Sequence, residues 1–246
     1  MRYFLEVSYK GTNYSGFQSQ KNANTIQAEV EKAFKILLKE EVQLTGSSRT
    51  DAGVHALQNY FHFDISNELS PRLLYNLNSL LPWDIAIKRL LKVKDDSHCR
   101  FDAVMREYKY YVYQKKNPFL EDNAYYFPYK LDLALMQNAA TVIKEYSDFT
   151  SFSKRNTQVK SFVCDIQESS WTSEEDCFVY QVKANRFLRG MVRALASTML
   201  QVGRHKTDID LFRNIIESKD CTLANFSAPP HGLFLVQVAF PANYFN

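Results

Sequence analysis

The chain has 246 residues, which suits one large domain or two small ones. It carries 30 Lys+Arg against 27 Asp+Glu, a formal net charge of +3, and 46% of its residues are hydrophobic. These ordinary globular values exclude a disordered chain, a collagen-like chain and a coiled coil. The sequence has no apolar run of the roughly 20 residues that a membrane span needs, so we expect no membrane partner.

The N-terminus, the cysteines and the histidines predict the chemical setting. Charges at Arg2, Glu6 and Lys10 leave no apolar stretch for a signal peptide. The four cysteines form neither a CxxC motif nor a zinc-type pair, so we expect free thiols and a cytoplasmic location. His55 and His62 lack an HExxH motif or an Asp-rich neighbourhood, so we expect no metal.

In the first half of the chain, alternating apolar residues predict four strands, and helical spacing predicts two helices. The predicted strands are 2–9, 42–47, 59–65 and 85–93, and the predicted helices are 26–39 and 70–80. Asn24 and Gln27 are spaced as a capping pair at the start of the first helix. The predicted order is β-α-β-β-α-β.

The second half repeats this order and adds one helix. The predicted strands are 106–114, 161–171, 177–185 and 233–240, and the predicted helices are 131–146, 187–202 and 209–218. This pattern predicts an α+β fold of two ferredoxin-like, RRM-like βαββαβ units, each with an antiparallel sheet and helices on one face. The charged stretch 94–103 is the expected boundary, giving an N-terminal domain 1–98 and a C-terminal domain 99–246.

The densest polar cluster is GSSRTDAGVHA, residues 46–56, which joins two predicted strands. Arg49 and Asp51 are two residues apart, so in extended backbone they share a face. An aspartate beside an arginine stays ionised and fixed in direction, which suits a nucleophile or a general base. The alternative is a salt-bridged turn in which Asp51 only caps main-chain donors.

The second signal is a stretch of one charge sign. No acidic residue occurs between Asp176 and Asp208, where the basic residues are Lys183, Arg186, Arg189, Arg193, Arg204 and Lys206. The spacing of Arg186, Arg189 and Arg193 predicts one basic helix face. A solvated polar face is one interpretation, but surface helices usually mix both signs. A one-sign face on a nearly neutral protein favours a polyanion such as a phosphate backbone.

The third signal is the strand REYKYYVY, residues 106–113, in which tyrosines alternate with cations. Such a surface is typical of sheets that stack unpaired bases. Alternate tyrosines can equally be core residues, and we expect this for two of the four.

The chain resembles the tRNA pseudouridine synthase A family. SRTDAGVHA at 48–56 looks like that family's catalytic loop, and the match is highly specific. Further matching segments run in family order over the whole chain: YKGTNYSGFQ, NSLLPWDIAI, REYKYYVY, DFTSF, KANRFLRGMVR and HGLFLVQV. Phe17, where many relatives have Trp, and the stretch 154–165 depart from the pattern without touching the loop.

The resemblance implies a role for individual residues. Asp51 matches the family's essential aspartate, and Arg49 matches the arginine that displaces the target base from its stack. Tyr108 matches the tyrosine that lies against the uracil, and Leu233 matches an apolar residue of the pocket. Arg193 matches the basic residue that pairs with the aspartate.

The resemblance also implies a substrate and an assembly. The family converts uridines 38, 39 and 40 of the tRNA anticodon stem-loop to pseudouridine. It works as a homodimer whose cleft is shared by both subunits, and we expect the catalytic cleft between the two domains. Because the isomerisation neither oxidises the substrate nor consumes water, it implies no cofactor and no metal. On this interpretation Lys183, Arg186 and Arg189 are substrate-binding residues that contact phosphates.

Two other classes of function fit part of the sequence. A non-catalytic, RRM-like RNA-binding protein would explain the basic residues and the tyrosines but leave Asp51 beside Arg49 without a purpose. A small-molecule hydrolase with an Asp nucleophile would explain Asp51 but not the acid-free stretch.

Overall fold

A computed structural model describes residues 1–155 and 159–245 of the chain. The chain divides into two compact units, one of Met1–Val104 with Leu235–Asn246, the other of Met105–Phe234. The sequence-based division placed the final residues in the second domain, whereas the structure groups them with the first unit. The reason is that the last strand continues from the second unit into the first.

The first unit contains a four-stranded sheet built from the first half of the chain, to which the end of the last strand is added. Its elements are strands β1 (Arg2–Tyr9), β2 (Thr45–Gly46), β3 (His55–Asp64) and β4 (Ile85–Val93), and helices α1 (Ile26–Leu38) and α2 (Leu73–Leu80). The strand order is β4-β1-β3 with β2 beside β3, and every one of these pairs is antiparallel.

Strand β1 is buried on both faces of this sheet. Its alternation predicted one apolar face, but Phe4 on the opposite face is also completely buried. The ring of Phe4 packs against Phe240 and Tyr244, with centroids 5.5 and 5.9 Å away. Aromatic side chains that follow the last strand therefore complete the core of the first unit.

Helix α1 begins at Ile26 as predicted, but its N-cap residue differs from the predicted one. Thr25 is the N-cap residue, and its side-chain oxygen accepts a hydrogen bond from the main chain of Ala28 at 3.2 Å. The predicted capping pair of Asn24 and Gln27 is therefore wrong, because threonine supplies the same oxygen one residue further along. The side chain of Gln27 instead accepts a hydrogen bond from the main chain of Ser19 at 3.1 Å.

The second unit also combines a sheet with helices, which confirms the α+β class. Its elements are strands β5 (Met105–Tyr113), β6 (Tyr125–Tyr126), β7 (Ile166–Glu174), β8 (Cys177–Ala184) and the start of β9 (Leu233–Ala239), and helices α3 (Leu133–Ile143), α4 (Met191–Gly203) and α5 (Ile209–Glu217). Strands β5, β8 and β7 pair antiparallel in that order. The short strand β6, which the sequence did not predict, pairs parallel to β5, so the sheet is mixed.

Helix α4 corrects the predicted basic helix face. It begins at Met191, because Gly190 at its N-cap has a φ of +75° that a helical residue cannot adopt. Arg186 and Arg189 therefore lie in the connection before the helix rather than on it. Within α4 every residue except Arg193 and Gln201 is buried, so the helix is a core element with one cation.

Candidate active site

The polar cluster of the first unit forms the loop between β2 and β3. Arg49 is exposed on this loop, and Asp51 is half-buried. The main-chain N–H of Val54 donates to the carbonyl of Asp51 at 3.2 Å, which closes a turn directly after the aspartate. The loop thus holds a carboxylate and a guanidinium two residues apart.

The start of the loop is fixed by Asn59, which is completely buried on β3. Its side-chain oxygen accepts from the main chain of Ser48 at 3.3 Å, and its amide nitrogen donates to the carbonyl of Ser48 at 2.8 Å. The same nitrogen donates to the Tyr9 hydroxyl, which in turn bonds the Thr50 hydroxyl at 2.8 Å. A buried, hydrogen-bonded side-chain network of this kind gives a loop one conformation.

The end of the loop is fixed by the segment after β1. The main-chain N–H of Phe17 donates to the carbonyl of Thr50 at 3.2 Å, and that of Gly11 donates to Nδ1 of His55 at 3.0 Å. A Cβ atom added to Gly11 would lie 2.1 Å from the carbonyl oxygen of Val54, so only glycine allows this approach. The sequence signals for this segment are its turn-rich composition and the scarcity of glycine, with 7 glycines in 246 residues.

The two histidines near the loop are buried and make contacts within the protein. Nδ1 of His55 accepts from Gly11, so the ring proton of the neutral form is on Nε2. Burial lowers the pKa of His62 to about 4, and its Nδ1 lies 3.2 Å from Sγ of Cys99. Over residues 1–155 and 159–245, no group of three or more His, Cys, Asp or Glu side chains could hold a metal ion.

In the second unit, Tyr108 lies on β5 with the other tyrosines of that strand. Its ring is buried and contacts Phe187 edge-to-face, with the centroids 5.1 Å apart. Tyr110 and Tyr113 are buried as well, and only Tyr111 is half-buried. Three of the four tyrosines are therefore buried, one more than the sequence predicts, because β5 is covered on both faces.

Arg193 projects from α4 toward the segment before β9. Its Nε donates to the carbonyl of Ala228 at 2.7 Å. Burial lowers the pKa of His231, and the Arg193 charge lowers it further against the opposing effect of Asp122. Leu233 is the buried first residue of β9, directly after this segment. The second unit therefore places a cation on a helix that contacts the segment before the last strand.

The other cations predicted to bind phosphate differ in their surroundings. Lys183 lies on β8, where its ammonium group is 2.7 Å from a carboxylate oxygen of Glu168 and 3.9 Å from one of Glu107. Arg186 and Arg189 are exposed in the connection that precedes α4. Lys183 therefore has two carboxylate partners, and the side chains of Arg186 and Arg189 are exposed.

The geometry divides the candidate residues between the two units. The first unit supplies a carboxylate and a cation on a loop of fixed conformation. The second supplies an aromatic ring, an apolar side chain and cations. A carboxylate can attack a substrate, and exposed cations with an aromatic ring can bind phosphate groups and a planar base. No helix among the described residues is both long and apolar enough to cross a membrane.

Comparisons with known proteins agree with the loop motif. A family model described as tRNA pseudouridine synthase matches residues 6–102 and 146–241. The tRNA pseudouridine synthase A of Parabacteroides distasonis is 46% identical over 246 residues, which cover 99% of this chain and 98% of that protein. The proteins of that name from Bacteroides thetaiotaomicron and Staphylococcus aureus (strain Newman) are 44% and 37% identical, covering 100% and 99% of this chain and 93% and 92% of theirs. The chain therefore belongs to the tRNA pseudouridine synthase family of isomerases.

Proposed function

We propose that this protein converts uridine to pseudouridine in tRNA, at positions 38, 39 and 40 of the anticodon stem-loop, and that Asp51 is the catalytic residue. The observation that carries this proposal is the loop that holds Asp51, which has both the family's motif and a main chain fixed by buried neighbours. A non-catalytic RNA-binding protein has no need for a carboxylate held in this way.

The reaction needs few groups. The bond from uracil N1 to the ribose breaks, the uracil rotates, and C5 forms the new bond to the ribose. C5 loses its proton and N1 gains one, so no electrons and no water enter or leave. A single carboxylate can attack the ring, attack the ribose or remove a ribose proton, and Asp51 supplies that carboxylate in our proposal.

The target uridine must first leave the helical stack, which costs a few kcal/mol. In our proposal the exposed Arg49 fills the vacated space, and Tyr108 holds the flipped base beside Leu233. Arg193 pairs with Asp51. Arg186 and Arg189 contact RNA phosphates, a role for which Lys183 is less suited because Glu168 already binds it.

The test of the proposed function is Asp51→Asn, which keeps the size of the side chain and removes its charge. Because RNA affinity comes mainly from phosphate contacts and stacking, we expect tRNA binding within about threefold of wild type, or about 0.7 kcal/mol. Pseudouridine formation, assayed with EDTA present and folded unmodified tRNA, should be absent in the variant. Pseudouridine in the wild type maps to positions 38–40 if the proposed site on the RNA is right.

Asp51→Asn has an informative control in the melting temperature. If Asp51 were only a turn residue, the variant would melt at a lower temperature and retain activity. Substantial product from a folded variant, after mass spectrometry has excluded deamidation to aspartate, would refute the assignment of Asp51.

We also propose that the protein acts as a C₂ homodimer, with both subunits touching one tRNA. The exposed cations of the 185–190 connection are few for an RNA of this size, which supports a second subunit. Light scattering at micromolar concentration should give twice the monomer mass of 28.6 kDa. A mass near that of the monomer would contradict the dimer.

A further inference from the structure

An open cleft of about 330 Å³ lies beside the Asp51 loop in the first unit, and of its lining residues the proposed function uses Arg49. Its volume is at the lower end of the range for small-ligand sites, about 300–1,000 Å³. The chemistry-bearing residues that line it are Arg49, His98, Arg100 and Phe101, with the amides of Gln18 and Gln43. Arg49 thus belongs to the Asp51 loop and also lines the cleft.

The turn that carries three of these residues is held by internal hydrogen bonds. The main-chain N–H of His98 donates to the carboxylate of Asp102 at 2.7 Å, and that of Asp102 donates to the carbonyl of His98 at 3.0 Å. Nδ1 of His98 accepts from the main chains of Arg100 and Phe101 at 3.1 and 3.3 Å. The His98 ring is packed in turn against His62, with centroids 4.5 Å apart.

This turn presents a large aromatic ring to solvent. Phe101 is 74% exposed, although its ring rests on His98 with centroids 4.2 Å apart. The guanidinium of Arg100 lies 5.6 Å from the centre of the same ring. A phenylalanine that the turn fixes and leaves uncovered is a platform for a flat ligand, because every nucleobase has a π-face that can stack on it.

The charges in the cleft favour an anion. Arg49 and Arg100 contribute two cations, and the carboxylate of Glu31 is the opposing group. That carboxylate accepts hydrogen bonds from the Gln27 amide at 2.7 Å and the main chain of Leu44 at 3.3 Å. Glu31 is therefore engaged with the wall of the cleft, and the two guanidinium groups decide what enters it.

We propose that this cleft binds a second unpaired nucleotide of the RNA, next to the target uridine site, with the base stacked on Phe101 and the phosphate between Arg49 and Arg100. The inference rests on the proposed RNA substrate. It adds a site that grips a nucleotide without reacting with it, and Gln18 and Gln43 offer amides to the edge of the base. Stacking on phenylalanine makes the site tolerant of base identity.

The first experiment replaces the platform. Phe101→Ala should raise the Kd for unmodified tRNA about 5- to 150-fold, the range of one stacked base. The single-turnover rate at saturating tRNA should stay within about twofold. Phe101→Tyr keeps the ring and should bind as wild type. Phe119→Ala is the matched control, because Phe119 is 87% exposed in the second unit, and its Kd should not change.

The second experiment identifies the ligand as an unpaired base. A single-stranded oligouridine and a fully paired RNA duplex of equal length are titrated with wild type and Phe101→Ala. Only binding of the single strand should weaken. Arg100→Gln should lower the slope of log Kd against log salt by about 1, as expected for one lost phosphate contact.

Four results would overturn the proposal. The first two are wild-type tRNA affinity in folded Phe101→Ala and equal losses of affinity for the single strand and the duplex. The third is an equal loss of tRNA affinity in Phe119→Ala. The fourth is a change of molecular mass in Phe101→Ala, which would show that Phe101 contacts another protein chain. Each of these results counts against the cleft proposal alone, because pseudouridine formation by the wild type is measured separately on the same tRNA. If the wild type forms no pseudouridine, the proposed function fails instead.

Discussion

The loop between β2 and β3 and the connection 185–190 before α4 both carry arginines that we assign to RNA, yet they are held in different ways. The loop is tied by buried side chains, above all Asn59, and by a main-chain approach that only Gly11 permits. The connection is tied through its main chain, for example by the N–H of Lys154 to the carbonyl of Arg189 at 3.1 Å, while Arg186 and Arg189 project into solvent.

This difference matches the demands of the two tasks. A carboxylate that makes or breaks a bond must be aimed at one atom, and an error of about 1 Å can cost a hundredfold in rate. A phosphate contact only needs a positive charge within reach, so a long, exposed arginine suffices. Perturbing the loop should therefore damage chemistry, and perturbing the connection should damage affinity.

The largest effect should come from Gly11→Ala, which would push a methyl group to 2.1 Å from the Val54 carbonyl oxygen. Main-chain atoms must move, so we expect a loss of about 1–3 kcal/mol in the free energy of unfolding or more. Pseudouridine formation should fall at least tenfold at temperatures where the variant is folded. Thr12→Ala, on an exposed neighbour, should stay within about 0.5 kcal/mol of wild type. A Gly11→Ala protein with wild-type stability and activity would show that the loop is not held by this contact.

An intermediate effect should separate Arg193 from Arg189. Arg193→Ala should lower the single-turnover rate at saturating tRNA at least tenfold, with a smaller change in Kd, because we pair Arg193 with Asp51. Arg189→Ala should leave that rate intact and lower the salt slope of binding by about 1. If both variants change only the salt slope, the pairing of Arg193 with Asp51 is wrong. Melting temperatures control for the hydrogen bond that Arg193 makes to Ala228.

The smallest effect should come from Lys183→Met, compared with Arg186→Met. Lys183 is neutralised by Glu168 at 2.7 Å and Glu107 at 3.9 Å, so its loss should scarcely change the salt slope. Arg186→Met should lower the slope by about 1. If both variants lower the salt slope of binding by the same amount, Lys183 does contact a phosphate.

The regular elements were predictable because their apolar residues repeat with the period of the structure. The strands at Arg2–Tyr9 and Ile85–Val93 have the predicted bounds, and α5, Ile209–Glu217, ends one residue early. The error at α4 has a physical reason: its apolar stripe continues back to Leu188, but Gly190 at φ +75° interrupts the helix. Periodicity does not report main-chain conformation, and the glycine was the only sign of it.

The part of the candidate site whose residues are close together in the sequence was predictable. Asp51 and Arg49 are neighbours in the sequence, so a motif finds both. The support from Asn59 and Gly11 comes from other elements and depends on strand register, which a pattern of single residues does not specify. Phe101 gave no sequence signal at all, since an exposed phenylalanine looks like a core one until its turn is folded.

The passage of the last strand from one unit to the other sets an order of events in the cell. Val238 donates its main-chain N–H to the side chain of Gln58 at 3.0 Å, and Phe240 packs on Tyr60 with centroids 5.3 Å apart. These partners follow the Asp51 loop directly, but the ribosome makes residues 235–246 only after all of the second unit. The unit that begins first is therefore completed last, and we expect its long-range strand pairing to form more slowly than local contacts. A nascent chain can finish its second unit while the loop that carries Asp51 still lacks its final support, so we expect modification of tRNA to begin only after the last strand has paired.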